Sequence, residues 1–178
     1  MQLRKVQRSQ WGEIQGIYKE AFPKRERKPF FLLKASLRRG KTHIYTVAEK
    51  RLLGFVAVIP LQNMLMIDYL AISSKIRSRG VGGFIIKELC KIYKDKKIVL
   101  LIEKLDDAAE NRQQRIARRN FYVKNGFTSS GLFVNGVSGT MEVMNYGGRI
   151  EAEEYLHMQR YALGNIMFRL SKMKLVSD

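Results

Sequence analysis

The sequence predicts an α/β fold in which a mixed β-sheet is flanked by helices. Three observations predict it. Residues 42–59 carry an antiparallel hairpin signal, residues 64–102 read strand–turn–helix–strand, and residues 127–146 carry a second hairpin signal. A short turn joins antiparallel strands, whereas a crossover helix joins parallel ones, so the two patterns together require a mixed sheet.

The elements follow in order. Residues 1–6 are short and partly apolar, which suits an edge strand. Ser9 is a good N-cap, because its hydroxyl accepts from a free helical N–H. Trp11, Ile14, Ile17, Tyr18, Ala21 and Phe22 then recur at helical spacing until Pro23 stops the helix. Pro29 opens a second helix carrying Phe30, Leu33 and Leu37, with Gly40 at its end. The period then changes to strand-like over residues 42–49 and 52–59, with a turn at Lys50-Arg51. Residues 64–72 are apolar on both faces except for Asp68, as in a buried central strand. A glycine-rich turn leads into a helix bearing Phe84, Ile85, Leu89 and Ile92, and residues 98–102 form another fully apolar strand. A helix over about residues 111–124 ends at Asn125-Gly126, and a closing hairpin turns at Asn135-Gly136. Residues 151–174 read as one more helix, with Glu151, Glu153 and Glu154 at its start and Arg169, Lys172 and Lys174 at its end. Its apolar set suits docking on its own sheet, or a dimer contact. The expected organisation is one domain over 1–178, with a core over 1–146.

Charge narrows the function. The 178 residues hold 33 Lys+Arg against 16 Asp+Glu, a net +17. Residues 1–60 hold 14 bases and 4 acids, giving +10 of that total. The basic cluster Lys24-Arg25-Glu26-Arg27-Lys28 suits a solvated loop or a binding surface. Hydrophobic content of 46% is that of a globular chain. The single Cys90 excludes a disulfide framework, and with only His43 and His157 no metal is expected. No apolar run reaches the ~20 residues that span a bilayer. The expectation is a cytoplasmic protein, monomer or homodimer, without a membrane role, whose partners carry negative charge.

The segment Arg77-Ser78-Arg79-Gly80-Val81-Gly82 joins the buried strand to a helix start. No Gly-Lys-Ser/Thr follows, which excludes a P-loop, and Ile85 stands where a dinucleotide fingerprint needs its third glycine. Backbone N–H groups and the helix dipole make such a turn an anion site, and Arg77 and Arg79 add charge-assisted bonds. An ordinary glycine-rich turn is the other reading of these six residues.

At these residues the sequence resembles the GNAT superfamily of acetyltransferases. Its signature, Gln/Arg-x-x-Gly-x-Gly/Ala, is matched by Arg77, Gly80 and Gly82, preceded by Leu70-Ala71-Ile72 in place of the common Leu-Ala-Val. Residues 120–127, Asn-Phe-Tyr-Val-Lys-Asn-Gly-Phe, resemble the family's Leu/Phe-Tyr-x-x-x-Gly-Phe. The element order matches over residues 1–146. The resemblance implies a mixed sheet with two central strands splayed apart. It implies acetyl transfer from acetyl-CoA to a primary amine in a ternary complex, without metal. The pyrophosphate would lie on Arg77, Ser78, Arg79, Gly80, Val81, Gly82 and Gly83. Backbone of Leu70, Ala71 and Ile72 would face the acetyl group and pantetheine arm. Tyr122 would protonate the departing thiolate.

An alkylammonium has a pKa near ~10, so a base must take its proton. Asp68, on the same strand face as Leu70 and Ile72, is one candidate, or else a buried acid paired to an arginine. Glu103 at the end of the second apolar strand is another, or else a solvated strand end. Glu26, in the loop that lines the acceptor side in this fold, is a third, and a water chain is a fourth. Many relatives carry an Asn seven residues before the helix tyrosine to bond the pantetheine arm, and here that position is Arg115. Arg112, Arg115, Arg118 and Arg119 would share a broad helix face, on CoA phosphates, on an acidic acceptor or in solvent. The acceptor is expected on an anionic molecule or assembly. The rival function is a basic nucleic-acid or ribosome-binding module on a degenerate acetyltransferase fold.

Overall fold

The computed structural model describes residues 1–76, 79–136 and 139–176. The chain falls into two compact units, Met1–Pro60 with Ile67–Lys94, and Leu61–Met66 with Asp95–Asp178.

The first unit holds strands β1 (Leu3–Lys5), β2 (His43–Ala48) and β3 (Leu52–Leu61, up to Pro60), and the second half of β4 (Met64–Ile72). It also holds helices α1 (Trp11–Ala21), α2 (Phe30–Arg38) and α3 (Val81–Ile92). β1 and β3 both pair antiparallel with β2, confirming the first hairpin. Ile14, Ile17 and Tyr18 lie three to four residues apart on α1 and turn one face onto the sheet. They pack with Leu33 of α2 and with Ile44, Phe55, Ala57, Tyr69 and Ala71 of the strands. Each buried Ile, Leu or Phe among them stabilises by roughly 1.5–3 kcal/mol. β3 and β4 approach closely at Gly54, where a Cβ would stand 2.8 Å from the Ala71 carbonyl oxygen. Ser9 does not cap α1. It lies in a 3-10 turn over Arg8–Gln10, and the local bond is Gln7 N–H to Gln10 Oε1, 2.9 Å.

The second unit contains the start of β4, then β5 (Lys97–Glu103), α4 (Arg112–Lys124), β6 (Thr128–Gly136) and β7 (Gly139–Tyr146). Its strands lie in the order β4-β5-β7-β6, with a last strand outside β6. Met64–Met66 pairs parallel with Lys97–Val99, as the crossover predicts, and β5–β7 and β6–β7 pair antiparallel. The sheet of this unit is therefore mixed.

The expected single helix over 151–174 is corrected. Helix α5 (Ala152–Leu163) stops at Gly164, α6 (Asn165–Leu170) follows, and β8 (Lys174–Val176) pairs antiparallel with β6. Gly164 has φ +77°, a left-handed conformation that ends a helix. α5 buries Tyr155, Met158 and Gln159, and the Gln159 amide reaches Tyr155 Oη at 2.8 Å and Met66 Sδ at 3.4 Å. α5 thus docks on the sheet of its own unit.

Candidate active site

In the first unit, the expected site residues cluster at the end of β4 and the start of α3. Asp68, Leu70 and Ile72 share one strand face and are partly accessible, while Tyr69 and Ala71 point into the core. Arg77 and Ser78 lie outside the described residues. Arg79 is exposed. Gly80 precedes α3 with φ +73°, and none of the described residues lies within 4 Å of where its Cβ would stand. Its carbonyl accepts the Phe84 N–H at 3.0 Å, so the helix begins properly there. Val81 is buried and anchors the turn, leaving the N–H groups of the first turn, including Gly82 and Gly83, for an anion. An open left-handed glycine, an adjacent exposed arginine and a twelve-residue helix behind them fit a phosphate group.

Asp68 is paired, with a lysine and not with an arginine. Lys28 Nζ lies 2.8 Å from both carboxylate oxygens. The same loop is tied down by two tyrosines. Tyr18 Oη donates to the Lys28 carbonyl at 3.1 Å, and Tyr69 Oη accepts the Lys28 N–H at 3.2 Å and donates to the Glu26 carbonyl at 3.3 Å. The basic cluster is therefore anchored on core tyrosines, and Glu26 sits in that anchored turn. Burial and the neighbouring Asp68 charge push the Tyr69 phenol far above its ordinary value, so it stays a neutral donor.

In the second unit, Tyr122 lies near the end of α4, buried edge-on against Phe121 and Phe127 at ring separations of 5.0 and 5.6 Å. Its hydroxyl has no hydrogen-bond partner among the described residues. Burial pushes the phenol up to about 12, partly offset by the Arg118 guanidinium one turn earlier, so it holds its proton at neutral pH.

Glu103 is not a solvated strand end. It is buried and accepts from Asn111 Nδ2 at 2.8 Å and Arg118 Nη1 at 2.6 Å, with Arg115 Nε at 3.7 Å. Arg115 Nε also donates to Asn111 Oδ1 at 2.7 Å and its Nη1 to the Lys104 carbonyl at 2.8 Å. Arg119 Nε pairs with the buried Glu142 at 3.2 Å and Arg112 with the exposed Asp107 at 2.8 Å. The four arginines of α4 thus each have an acidic partner in their own unit. Sequence reasoning missed Lys28, Asn111 and Glu142, because none has a pattern of its own and each is defined by a partner distant in the chain.

A family model for the GNAT acetyltransferase domain matches residues 41–129, half of the chain. The chain belongs to the GNAT acetyltransferase family. The Bacillus subtilis acetyltransferase-family protein YjbC is 28% identical over 123 residues, 65% of this chain and 55% of that protein, so the chain spans about half the length of this curated relative. A GNAT-family structure from Bacteroides thetaiotaomicron has a TM-score of 0.72 at 21% identity, covering 94% of this chain and 98% of that one. An aminoglycoside 6'-N-acetyltransferase crystallised with coenzyme A has a TM-score of 0.65 at 16% identity, covering 82% and 96%. At these identities the structures bear out the fold. The GNAT model spans both the Gly80 turn and Tyr122. Among the described residues no group of three or more His, Cys, Asp or Glu is placed to hold a metal, and no helix is long and apolar enough to cross a membrane.

Proposed function

We propose that the protein transfers the acetyl group of acetyl-CoA to a primary amine by direct attack within a ternary complex. Membership of the GNAT family motivates this, and the Gly80 turn is the single observation that carries it. A left-handed glycine heading α3, with no described residue against the site of its Cβ, suits a pyrophosphate held by backbone N–H groups and Arg79. Bound acetyl-CoA supplies an activated thioester, and the rest falls to the chain. Backbone of Leu70, Ala71 and Ile72 orients the acetyl carbonyl and supplies an N–H where negative charge develops. Tyr122, neutral at working pH, gives its proton to the leaving sulfur.

Two carboxylates compete for the base. Asp68 is partly accessible and held by one lysine, whereas Glu103 is buried among an amide and two guanidinium groups. The oxygens of Glu103 are occupied by those donors and shielded from a substrate, so we assign proton removal to the more accessible Asp68 or to water beside it. Arg115, engaged with Asn111 and Lys104, would meet the pantetheine arm only through its remaining N–H groups. The basic surface of the first unit argues for an anionic acceptor, or one carried on an anionic body.

Isothermal titration with CoA tests this reading. Heat with a saturable isotherm is expected, and its absence at about 1 mM ligand overturns the proposal. A thiol-release assay over a panel of amines then sets the acceptor class. A purely cationic polyamine as the best substrate contradicts the anionic assignment.

A further inference from the structure

Helix α2 has two unlike faces. Phe30, Leu33 and Leu37 join the core beside Trp11 and Tyr18. Phe31 and Leu32, by contrast, are 68% and 47% exposed, as are Arg38 and Arg39 further along. Phe31, Ala35 and Arg38 follow i, i+4, i+7, and Leu32, Ala35 and Arg39 follow i, i+3, i+7. The apolar pair and the guanidinium pair therefore lie along one outward stripe, separated by about 10 Å.

Two adjacent large apolar side chains in water are a cost that packing does not require here. Neither Arg38 nor Arg39 has an acidic partner among the described residues. The chain on either side adds bases rather than acids, since residues 27–48 contain six bases and no acid.

We propose that this outward face of α2 docks an acidic protein segment bearing an apolar side chain. The apolar group would pack on Phe31 and Leu32, and carboxylates would take the paired guanidinium groups in bidentate bonds. A nucleic-acid groove stacks successive bases on a series of aromatic rings. The stripe has one ring beside an aliphatic residue, which favours a protein partner. The proposal stands whether or not the protein transfers acetyl groups.

Fluorescence anisotropy on the full chain tests it with three probes. These are an amphipathic peptide of Glu, Asp and Leu, the same peptide with Ser for Leu, and a single-stranded RNA of about 20 nucleotides. The Leu peptide should bind about tenfold more tightly than the Ser peptide. Its affinity should fall about tenfold in the pair Phe31→Ser/Leu32→Ser and again in Arg38→Ser/Arg39→Ser, with the circular dichroism spectrum unchanged. Peptide affinity indifferent to the Phe31/Leu32 change overturns the proposal. So does RNA binding that outcompetes the Leu peptide and depends on the arginines alone.

Discussion

The first unit carries 20 bases and 6 acids, the second 13 and 10, so +14 of the net +17 belongs to one and +3 to the other. The difference goes beyond counting. In the second unit the arginines of α4 face Glu103, Glu142 and Asp107, and two of those acids are buried. The charge of Arg115, Arg118 and Arg119 is thereby engaged in seating the helix that carries Tyr122. In the first unit Lys28 pairs with the half-buried Asp68, while Arg38 and Arg39 face outward. A basic helix in sequence is thus no evidence of a binding surface until its acids are located.

The largest expected effect lies where charge is buried. Glu103→Ala strips Arg115, Arg118 and Asn111 of a shared acceptor and should cost about 3 kcal/mol in urea unfolding. A cost no greater than that of Asp68→Ala breaks the comparison. The first unit depends instead on apolar packing at its β3–β4 seam. Gly54→Ala would drive a methyl group into the Ala71 carbonyl, a backbone atom, and should cost about 2 kcal/mol by thermal melting.

Alkaline pH probes the buried phenol. Tyr122 ionises near 10 when unfolded and near 12 when folded, so its stabilisation is complete below pH 10 and lost as pH rises through 12. Tyr122→Phe should flatten the fall of stability over that window, and an unchanged slope would show that the phenol is not buried as described. Asp68→Asn, which weakens a partly exposed pair, should cost about 1 kcal/mol by urea titration. Arg38→Ser with Arg39→Ser should change stability by less than about 0.5 kcal/mol. A larger loss would mean that these residues serve the fold rather than a partner.

The order of strands and helices was legible because each central element keeps one period over many residues. The glycine turn and the Tyr122 segment were legible as motifs. What escaped was set by tertiary contact. The partner of Asp68 lies 40 residues away, on a loop whose composition suggests solvent until Tyr18 and Tyr69 are seen holding it. Glu103 reads as a strand end, and only the return of α4 across it brings two guanidinium groups to its oxygens. Gly164 hides inside an apolar helical pattern that continues on both sides, and three-residue β8 is too short to show a period.

Thiol release from acetyl-CoA with an amine present, followed beside CoA calorimetry in the parent and in Tyr122→Phe, tests acetyl transfer most directly. Amine-dependent release is expected, with kcat about 100-fold lower in the variant and CoA affinity unchanged. No amine-dependent release by the parent, or equal kcat in the two proteins, would contradict the account.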